Sequence, residues 1–253
     1  MGKNIAIIFA GGSGARMGSG IPKQFLEVNG KPIIIHTLDV FEDHPDVDEI
    51  YVACKEEYIG KLRKYAARFM ITKLAGIVPG GATGQDSIYH ALSAAGKEHD
   101  GDAIVMIHDG VRPCITKELI DDNLRSVKEY GSAVTCTALY ETPVVSRDGI
   151  AVDEVPSRSL FYTAQAPQSF YLGEVLEAHE QMRRKNPGYE GVVDTCTMMK
   201  MLGKNVHLVE GPRGNIKVTT PEDLYTFRAM IKYRETEQIF GFSRGEVSSG
   251  LKK

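Results

Sequence analysis

Short apolar runs alternate with amphipathic stretches along most of this chain, a pattern typical of buried strands joined by helices. Apolar runs predict strands at Ile5–Phe9, Glu49–Cys54, Gly76–Pro79, Ala103–Ile107 and Ala133–Ala138. Apolar residues at helical spacing predict helices at Pro32–Phe41, Glu57–Phe69, Ser87–Ala95 and Lys117–Tyr130. We therefore expect an α/β fold with a mostly parallel sheet.

The pattern changes between residues 140 and 169. Pro143, Pro156 and Pro167 interrupt it, and Arg147-Asp148-Gly149 predicts a hairpin turn with alternating apolar residues on either side. This segment is expected to form a protruding β-arm over about 140–169, and not a further strand–helix–strand unit.

The α/β pattern returns after the arm. Helices are predicted at Leu172–Arg184, Thr195–Leu202 and Pro221–Tyr233, and short strands at His207–Glu210 and Ile216–Val218. Residues 1–241 are expected to form a single domain. The stretch 242–253 is polar and rich in Gly and Ser, so a disordered tail is expected there.

Composition narrows the class of protein. The net charge of −3 argues against a general binder of nucleic acid or of anionic membranes. The four cysteines form no CxxC pair and have no zinc spacing, which favours reduced thiols in a cytoplasmic protein. The N-terminal apolar run is too short for a signal sequence or a membrane span. A cytoplasmic protein with no membrane or nucleic-acid partner is expected.

The first candidate site is the Gly-rich segment from Ala10 to Lys23, directly after the first strand. Glycines let backbone N–H groups approach phosphate oxygens closely. The segment fits neither the P-loop nor the dinucleotide fingerprint, which disfavours an NAD-type oxidoreductase. Arg16 and Lys23 could clamp a triphosphate from two sides. The alternative is a Gly-rich turn with solvated charges. The candidate backbone positions are Ala10, Gly11, Gly12 and Gly14.

Two further candidates follow later strands. Asp109 comes at the end of a buried strand, with Arg112 three residues on, which suits a divalent metal and an anionic substrate. Equally, Asp109 could cap the next helix, and His108 is interpreted as structural. Lys217 lies between apolar residues, so its amine must either reach solvent or meet an anion.

Four motifs occur in a fixed order over residues 4–233: AGGSGARMG…PKQF, IHDGVRPC, AQAPQSF and GNIKVTTPEDL. Together they resemble the cytidylyltransferases that act on polyol phosphates, among them the enzymes for 2-C-methyl-D-erythritol 4-phosphate and for ribitol 5-phosphate. The resemblance implies a Rossmann-like sheet of nucleotidyltransferase type, CTP as donor, Mg²⁺, and a β-arm that swaps into a homodimer.

The resemblance also implies roles for residues at the matching positions. Arg16 and Lys23 would be catalytic residues that contact the triphosphate and stabilise the charge developing at the α-phosphate, with Lys217 as a third catalytic residue. Asp109 would help to hold Mg²⁺. The cytidine pocket would be lined by Gly80, Gly81 and Ser87.

Acceptor contacts are implied in the same way. Arg112 would lie close to the acceptor, while Thr142, Arg158 and Lys217 would bind its phosphate, with Arg158 reaching across from a second subunit. Two segments, VPSRSLFYTAQAPQSF and HDGVRP, resemble the ribitol branch more than the methylerythritol branch. The favoured acceptor is therefore D-ribitol 5-phosphate, and the alternative is 2-C-methyl-D-erythritol 4-phosphate.

Three positions depart from the family pattern. Gly84 stands where an Arg is usual, Ala166 replaces the Thr of TPQ, and Val193 replaces a Thr before Asp194. The last two changes remove hydroxyls that could bind a phosphate or a polyol. They leave open the identity of the acceptor, and also the alternative of a nucleotide-binding module without catalysis.

Overall fold

The computed structural model describes residues 2–11 and 21–240. The described residues form a seven-stranded sheet with helices on both faces and a separate two-stranded hairpin. The strands are β1 (Asn4–Ala10), β2 (Glu27–Val28), β3 (Lys31–Pro32), β4 (Glu49–Cys54), β5 (Leu74–Pro79), β6 (Ile104–Asp109), β7 (Ser132–Ala138), β8 (Tyr162–Tyr171) and β9 (Leu208–Glu210). The helices are α1 (Ile33–Glu42), α2 (Glu56–Arg68), α3 (Gly84–Ala95), α4 (Lys117–Tyr130), α5 (Leu172–Lys185), α6 (Thr195–Met201) and α7 (Pro221–Phe240).

The main sheet has the order β5-β4-β1-β6-β8-β7-β9. Strands β5, β4, β1 and β6 run parallel to one another, as does the β7–β9 pair, whereas β8 is antiparallel to both of its neighbours. The predicted α/β class and mostly parallel sheet are confirmed. The carboxyl ends of β1, β4, β5 and β6 meet at one edge, where open α/β sheets bind ligands.

Alternate residues of β1 belong to two hydrophobic cores. Ile5 and Ile7 pack with α3, α5 and α6, whereas Ala6 and Ile8 pack with α1, α2 and α4. This division follows from the two-residue period of a strand. Burial on both faces explains why the first strand reads as a continuous apolar run. Among the described helices, none combines the length and the apolar character that crossing a bilayer requires.

Strand β8 lies inside the main sheet although its residues fall mostly within the predicted arm. It pairs with β6 from Ile107↔Gln168 to Ile104↔Tyr171 and with β7 on its other side. The register with β7 shifts between Val134 and Cys136, opposite the stretch that holds Pro167. This irregularity lets a residue without an N–H sit between two strands. The segment outside the sheet therefore covers residues 139–161 and is shorter than predicted. Within it, a single antiparallel bridge, Val145↔Glu154, forms the hairpin.

Two other segments differ from their predictions. Residues 216–218 are an extended link and not a strand, anchored by the Val218 N–H donating to the Val111 carbonyl at 2.8 Å. Helix α7 continues seven residues beyond Tyr233, to Phe240. At its start, the Asp223 carboxylate accepts the Thr220 N–H at 2.8 Å. The predicted tail lies outside the described residues.

Candidate active site

Two adjoining cavities open at the carboxyl edge of the parallel strands. The larger, about 490 Å³, is lined on one side by glycine-rich turns and is called the glycine cavity here; among its lining residues are Gly11, Lys23, Gly81 and Ser87. The smaller, about 160 Å³, is called the glutamine cavity; among its lining residues are Gln85, Gln165, Gln168, Asp194 and Thr195. Phe9, Gly84, Asp109 and Lys217 line both cavities.

The glycine cavity depends on close approach between two loops and the start of α3. The Gly81 N–H donates to Ser87 Oγ at 3.0 Å, and that hydroxyl donates to the Thr83 carbonyl at 3.0 Å. A Cβ on Gly81 would lie 2.1 Å from the Asp86 Cβ, and one on Gly11 would lie 3.2 Å from Ser87 Oγ. Glycine is therefore needed at Gly81, because no side chain fits between the loop and the helix.

The structure brings together most of the described residues predicted for nucleotide binding. Ala10, Gly11, Gly81 and Ser87 line the glycine cavity. Gly80 is not a lining residue; its N–H donates to the Cys54 carbonyl at 2.7 Å. Gly12, Gly14 and Arg16 lie outside the described residues.

Lys23 reaches the same cavity from a short 3₁₀ turn, Lys23–Phe25. It is only 9% exposed, so the alternative of a solvated charge is wrong for this residue. The next residue, Gln24, donates its side-chain N–H to the Ala10 carbonyl at 2.6 Å and ties the turn to the end of β1. Gln24 was not among the predicted site residues, although it directly follows Lys23 in the chain.

A compact charged cluster separates the two cavities. Asp109 is 5% exposed at the end of β6; Lys217 Nζ lies 2.5 Å from its Oδ1, and Arg112 Nε lies 3.2 Å from its Oδ2. Burial by itself would raise the pKa of Asp109, but the charges of Lys217 and Arg112 outweigh burial and hold that pKa below its ordinary value. Asp109 is therefore an ionised carboxylate with a cation on each oxygen.

The surroundings of this cluster fix its geometry. Arg112 donates a second bond, from Nη1 to the Asn215 carbonyl at 2.6 Å. His108 Nε2 lies 3.0 Å from the Arg112 carbonyl, and burial lowers the pKa of His108 to about 4, so the ring is neutral. Helix α4 is capped by Thr116, so the capping alternative for Asp109 is wrong.

Two alternatives were predicted for Lys217, an amine that reaches solvent or one that meets an anion, and the structure combines them. Its side chain is 42% exposed, yet its amine pairs with a carboxylate of the protein. A lysine whose side chain is partly exposed and held in place can also meet an anion in either cavity, since Lys217 lines both. The link 216–218 positions it because the flanking Val218 is fully buried.

Thr142 and Arg158 are exposed on the segment 139–161, and neither lines the glycine or the glutamine cavity. Arg158 Nη1 donates to the Tyr140 carbonyl at 3.1 Å. Within one chain, the structure does not bring these two residues to the site.

All three positions that depart from the family pattern line the glutamine cavity: Gly84, Ala166 and Val193. Gly84 also lines the glycine cavity, and a Cβ placed on it would meet nothing within 4 Å. The absence of a side chain at Gly84 therefore leaves room at the junction of the cavities.

The donor set at the junction fits one kind of metal site. Among the described residues, no group of three His, Cys, Asp or Glu side chains is placed to hold a metal ion. Mg²⁺ usually takes one or two carboxylates and fills its remaining positions with water and substrate phosphates. The ionised Asp109, facing both cavities, suits that mode of binding and does not suit a metal held by protein ligands alone.

The sequence matches the family 2-C-methyl-D-erythritol 4-phosphate cytidylyltransferase (IspD) over residues 4–233. The chain belongs to this family of cytidylyltransferases. Nucleotidyl transfer is the reaction class of the family, and it agrees with a glycine-rich cavity beside clustered cations. Residues 4–233 include both cavities and every described residue of the charged cluster.

Curated cytidylyltransferases of two kinds are similar to the chain. A ribitol-5-phosphate cytidylyltransferase of Streptococcus agalactiae serotype III is 46% identical over 239 residues, covering 94% of this chain and 99% of the relative. One from Vibrio parahaemolyticus is 45% identical over the same length. A 2-C-methyl-D-erythritol 4-phosphate cytidylyltransferase of Clostridium botulinum is 39% identical over 226 residues, covering 88% of this chain and 95% of the relative.

A solved structure of the family gives the same fold. The Francisella tularensis 2-C-methyl-D-erythritol 4-phosphate cytidylyltransferase superposes with a TM-score of 0.76 at 30% identity, covering 90% of this chain and 99% of that one. The fold of this cytidylyltransferase is therefore the nucleotidyltransferase fold of the IspD family.

Proposed function

We propose that this cytidylyltransferase transfers CMP from CTP to D-ribitol 5-phosphate and forms CDP-ribitol and pyrophosphate. The observation that carries the proposal is the pair of cavities that share Asp109 and Lys217, because transfer requires two anionic substrates to meet at one charged junction. The choice of acceptor follows the relatives, 45–46% identical for the ribitol enzymes against 39% for the methylerythritol enzyme.

In this proposal the glycine cavity holds CTP. Gly11 and Gly81 allow close approach of the nucleotide, and Lys23, together with Arg16, neutralises the triphosphate. A phosphate oxygen of the acceptor attacks the α-phosphorus in line, the bond from that phosphorus to the bridging oxygen breaks, and pyrophosphate leaves. Positioning and charge neutralisation drive such a step more than proton transfer does.

Mg²⁺ is proposed as the cofactor, and Asp109 is the residue that would help to hold it beside the nucleotide. When bound, it supplies positive charge that stabilises the developing negative charge on the phosphoryl oxygens. Lys217 and Arg112 keep Asp109 ionised, so it can act as a ligand at neutral pH.

The acceptor is placed in the glutamine cavity with its phosphate towards Lys217, whose side chain is 42% exposed and lines both cavities. Thr142 and Arg158 would complete the phosphate site only if segment 139–161 of a second subunit lay across it. The proposal therefore includes a homodimer.

Segment 139–161 supports that dimer through its exposed apolar surface. Large apolar side chains exposed by 40–91% run along it: Tyr140, Val144, Val145, Ile150, Val152, Val155, Leu160 and Phe161. An exposed apolar surface of this kind marks a site of protein contact. Ile150→Ser with Leu160→Ser is expected to give a monomer with weakened acceptor binding, measured by sedimentation and by acceptor KM.

The deciding assay is pyrophosphate release from CTP and Mg²⁺ with ribitol 5-phosphate, 2-C-methyl-D-erythritol 4-phosphate or glycerol 3-phosphate. We expect the highest kcat/KM with ribitol 5-phosphate. A preference for methylerythritol phosphate would establish the second candidate function, which the family description and the Clostridium relative favour. No release with any acceptor would support a binding module without catalysis.

The reaction is proposed for the cytoplasm, a reducing compartment that suits the free thiols of Cys54, Cys114, Cys136 and Cys196.

A further inference from the structure

Two polar side chains that line the glutamine cavity have buried oxygens without a hydrogen-bond partner. They are Gln85 Oε1 and Thr195 Oγ1, on residues 4% and 1% exposed. Gln85 lies in the first turn of α3 and Thr195 begins α6, so two separate helices bring these side chains to the lining of one cavity. Buried polar atoms are rarely left unpaired in folded proteins, because each one costs its lost hydration.

Three other polar side chains that line the glutamine cavity, those of Gln165, Gln168 and Asp194, form hydrogen bonds within the protein. Gln168 Nε2 donates to Asp194 Oδ2 at 2.8 Å, and Gln168 Oε1 accepts the Cys196 N–H at 2.8 Å. Asp194 Oδ1 caps α6 by accepting the Thr197 N–H at 2.7 Å. Gln165 Oε1 accepts from Asn215 Nδ2 at 3.1 Å. These bonds fix the positions of Gln165, Gln168 and Asp194, and each of these side chains already has protein partners.

Apolar side chains make up much of the remaining lining. Ala166, Val193 and Ile88 line the same cavity and offer no hydrogen bond from their side chains. A polyhydroxylated chain placed there would need polar partners, and Gln85 and Thr195 are the described lining side chains with an oxygen still unpaired.

We propose that Gln85 and Thr195 bind hydroxyl groups of the acceptor's carbon chain and so determine which polyol phosphate is used. The Gln85 amide oxygen accepts from one hydroxyl, and the Thr195 hydroxyl donates to or accepts from another. The inference rests on the proposed function, since it takes the acceptor to occupy the glutamine cavity. It assigns the selection of the acceptor to two uncharged residues, separate from the cations that bind phosphate.

The test compares side chains of similar shape that lack the oxygen. Gln85→Met and Thr195→Val are assayed by pyrophosphate release with ribitol 5-phosphate and with its four monodeoxy analogues, each lacking one hydroxyl from C1 to C4. Loss of one neutral hydrogen bond is expected to lower acceptor kcat/KM by about 5- to 10-fold. The KM for CTP is expected to stay within about twofold of wild type.

The analogues separate hydrogen bonding from altered shape. For each variant, one analogue is expected to show no further loss, because substrate and enzyme then lack the two halves of the same bond. Thr195→Ser, which keeps the hydroxyl, is expected to restore discrimination against that analogue. Thr226 lies on α7 and lines neither cavity. The control variant Thr226→Val also removes a hydroxyl, and its kinetics are expected to be unchanged.

Thermal unfolding of the protein without ligand gives a second readout. Removing an unpaired buried oxygen is not expected to lower Tm, whereas removing a group with a structural role would. A lower Tm together with equal loss for every acceptor would overturn the inference. So would normal Tm with unchanged discrimination among the analogues.

Failure of the proposed function gives a different result. Wild-type protein without turnover of ribitol 5-phosphate would overturn the proposed acceptor, and with it the assignment of Gln85 and Thr195. Wild-type turnover with variants that discriminate normally would overturn that assignment alone.

Discussion

Replacing Arg112 with methionine should lower the free energy of unfolding by about 3–5 kcal/mol, because it leaves the buried Asp109 carboxylate with one charged partner in place of two. The chain supplies a matched control. Asp122 and Arg125 form another pair three residues apart, with side chains 45% and 69% exposed against 7% and 9% for Asp109 and Arg112. Arg125→Met should cost no more than about 1 kcal/mol.

The expected magnitude follows from the contacts of Arg112. At the observed 3.2 Å and an effective dielectric constant of about 20, the attraction between Arg112 and Asp109 amounts to about 5 kcal/mol. The variant also removes the donor to the Asn215 carbonyl, a further loss of about 1 kcal/mol. Lys217 stays beside Asp109 and offsets part of the lost attraction between charges.

Urea unfolding at neutral pH measures this difference, and a second variant tests its cause. In Asp109→Asn with Arg112→Met the buried charge is gone, so the double variant should lose less than the sum of the two single losses. A cost of Arg112→Met as small as that of Arg125→Met would refute the reasoning. Additive losses in the double variant would also refute it.

The dependence on pH has a definite sign. The folded pKa of Asp109 lies below its unfolded value, since Lys217 and Arg112 outweigh burial. The stabilisation from ionised Asp109 is therefore complete above the unfolded pKa and is lost as pH falls through the folded pKa. The penalty of Arg112→Met should be largest at neutral pH and should shrink in acid.

Three further predictions concern the glycine cavity. Lys23→Ala should lower kcat by about 10²–10³ with normal circular dichroism, and near-native turnover would remove Lys23 from the catalytic residues. Gly81→Ala should raise the KM for CTP and lower Tm, because its Cβ would overlap Asp86. Gly84→Ala should change Tm little, because a Cβ there meets open space. Equal changes in Tm for the two variants would contradict this prediction. Arg183→Met breaks the ion pair with Asp86 at the start of α3 and should raise the KM for CTP several-fold; an unchanged KM would show that this pair does not position the loop.

Much of the fold was readable because local pattern and burial agree. Strand β4 and helix α4 were predicted at their observed bounds. A short apolar run is stable as a buried strand, and a strongly amphipathic helix is stable with one face on the core. Strand β8 was assigned mostly to the arm because alternation is the same in a solvated hairpin and in a buried antiparallel strand. Pro167 pointed away from a central strand, and only the shifted register with β7 reconciles it with one.

The site was predictable where it carries charge or glycine and unpredictable where it depends on neutral groups. Lys23, Asp109 and Lys217 stood out because a charge beside buried strands needs a partner. That Lys217 pairs with Asp109 could not be inferred, because the two are far apart in sequence and tertiary structure sets the contact. Gln85 and Thr195 gave no signal, since an uncharged polar residue at a helix start is common and only the unpaired oxygens mark them.

The insertion of β8 between β6 and β7 has a consequence for the order in which the chain can fold during synthesis. Strands β1, β4, β5 and β6 can pair once residue 109 has left the ribosome, and they already position Gly11, Gly81 and Ser87. The edge of β6 then stays unpaired until residue 171 has also left the ribosome, so a growing chain carries an open strand edge next to a nearly complete nucleotide cavity. Nascent chains halted between these two lengths should therefore be the most prone to aggregate.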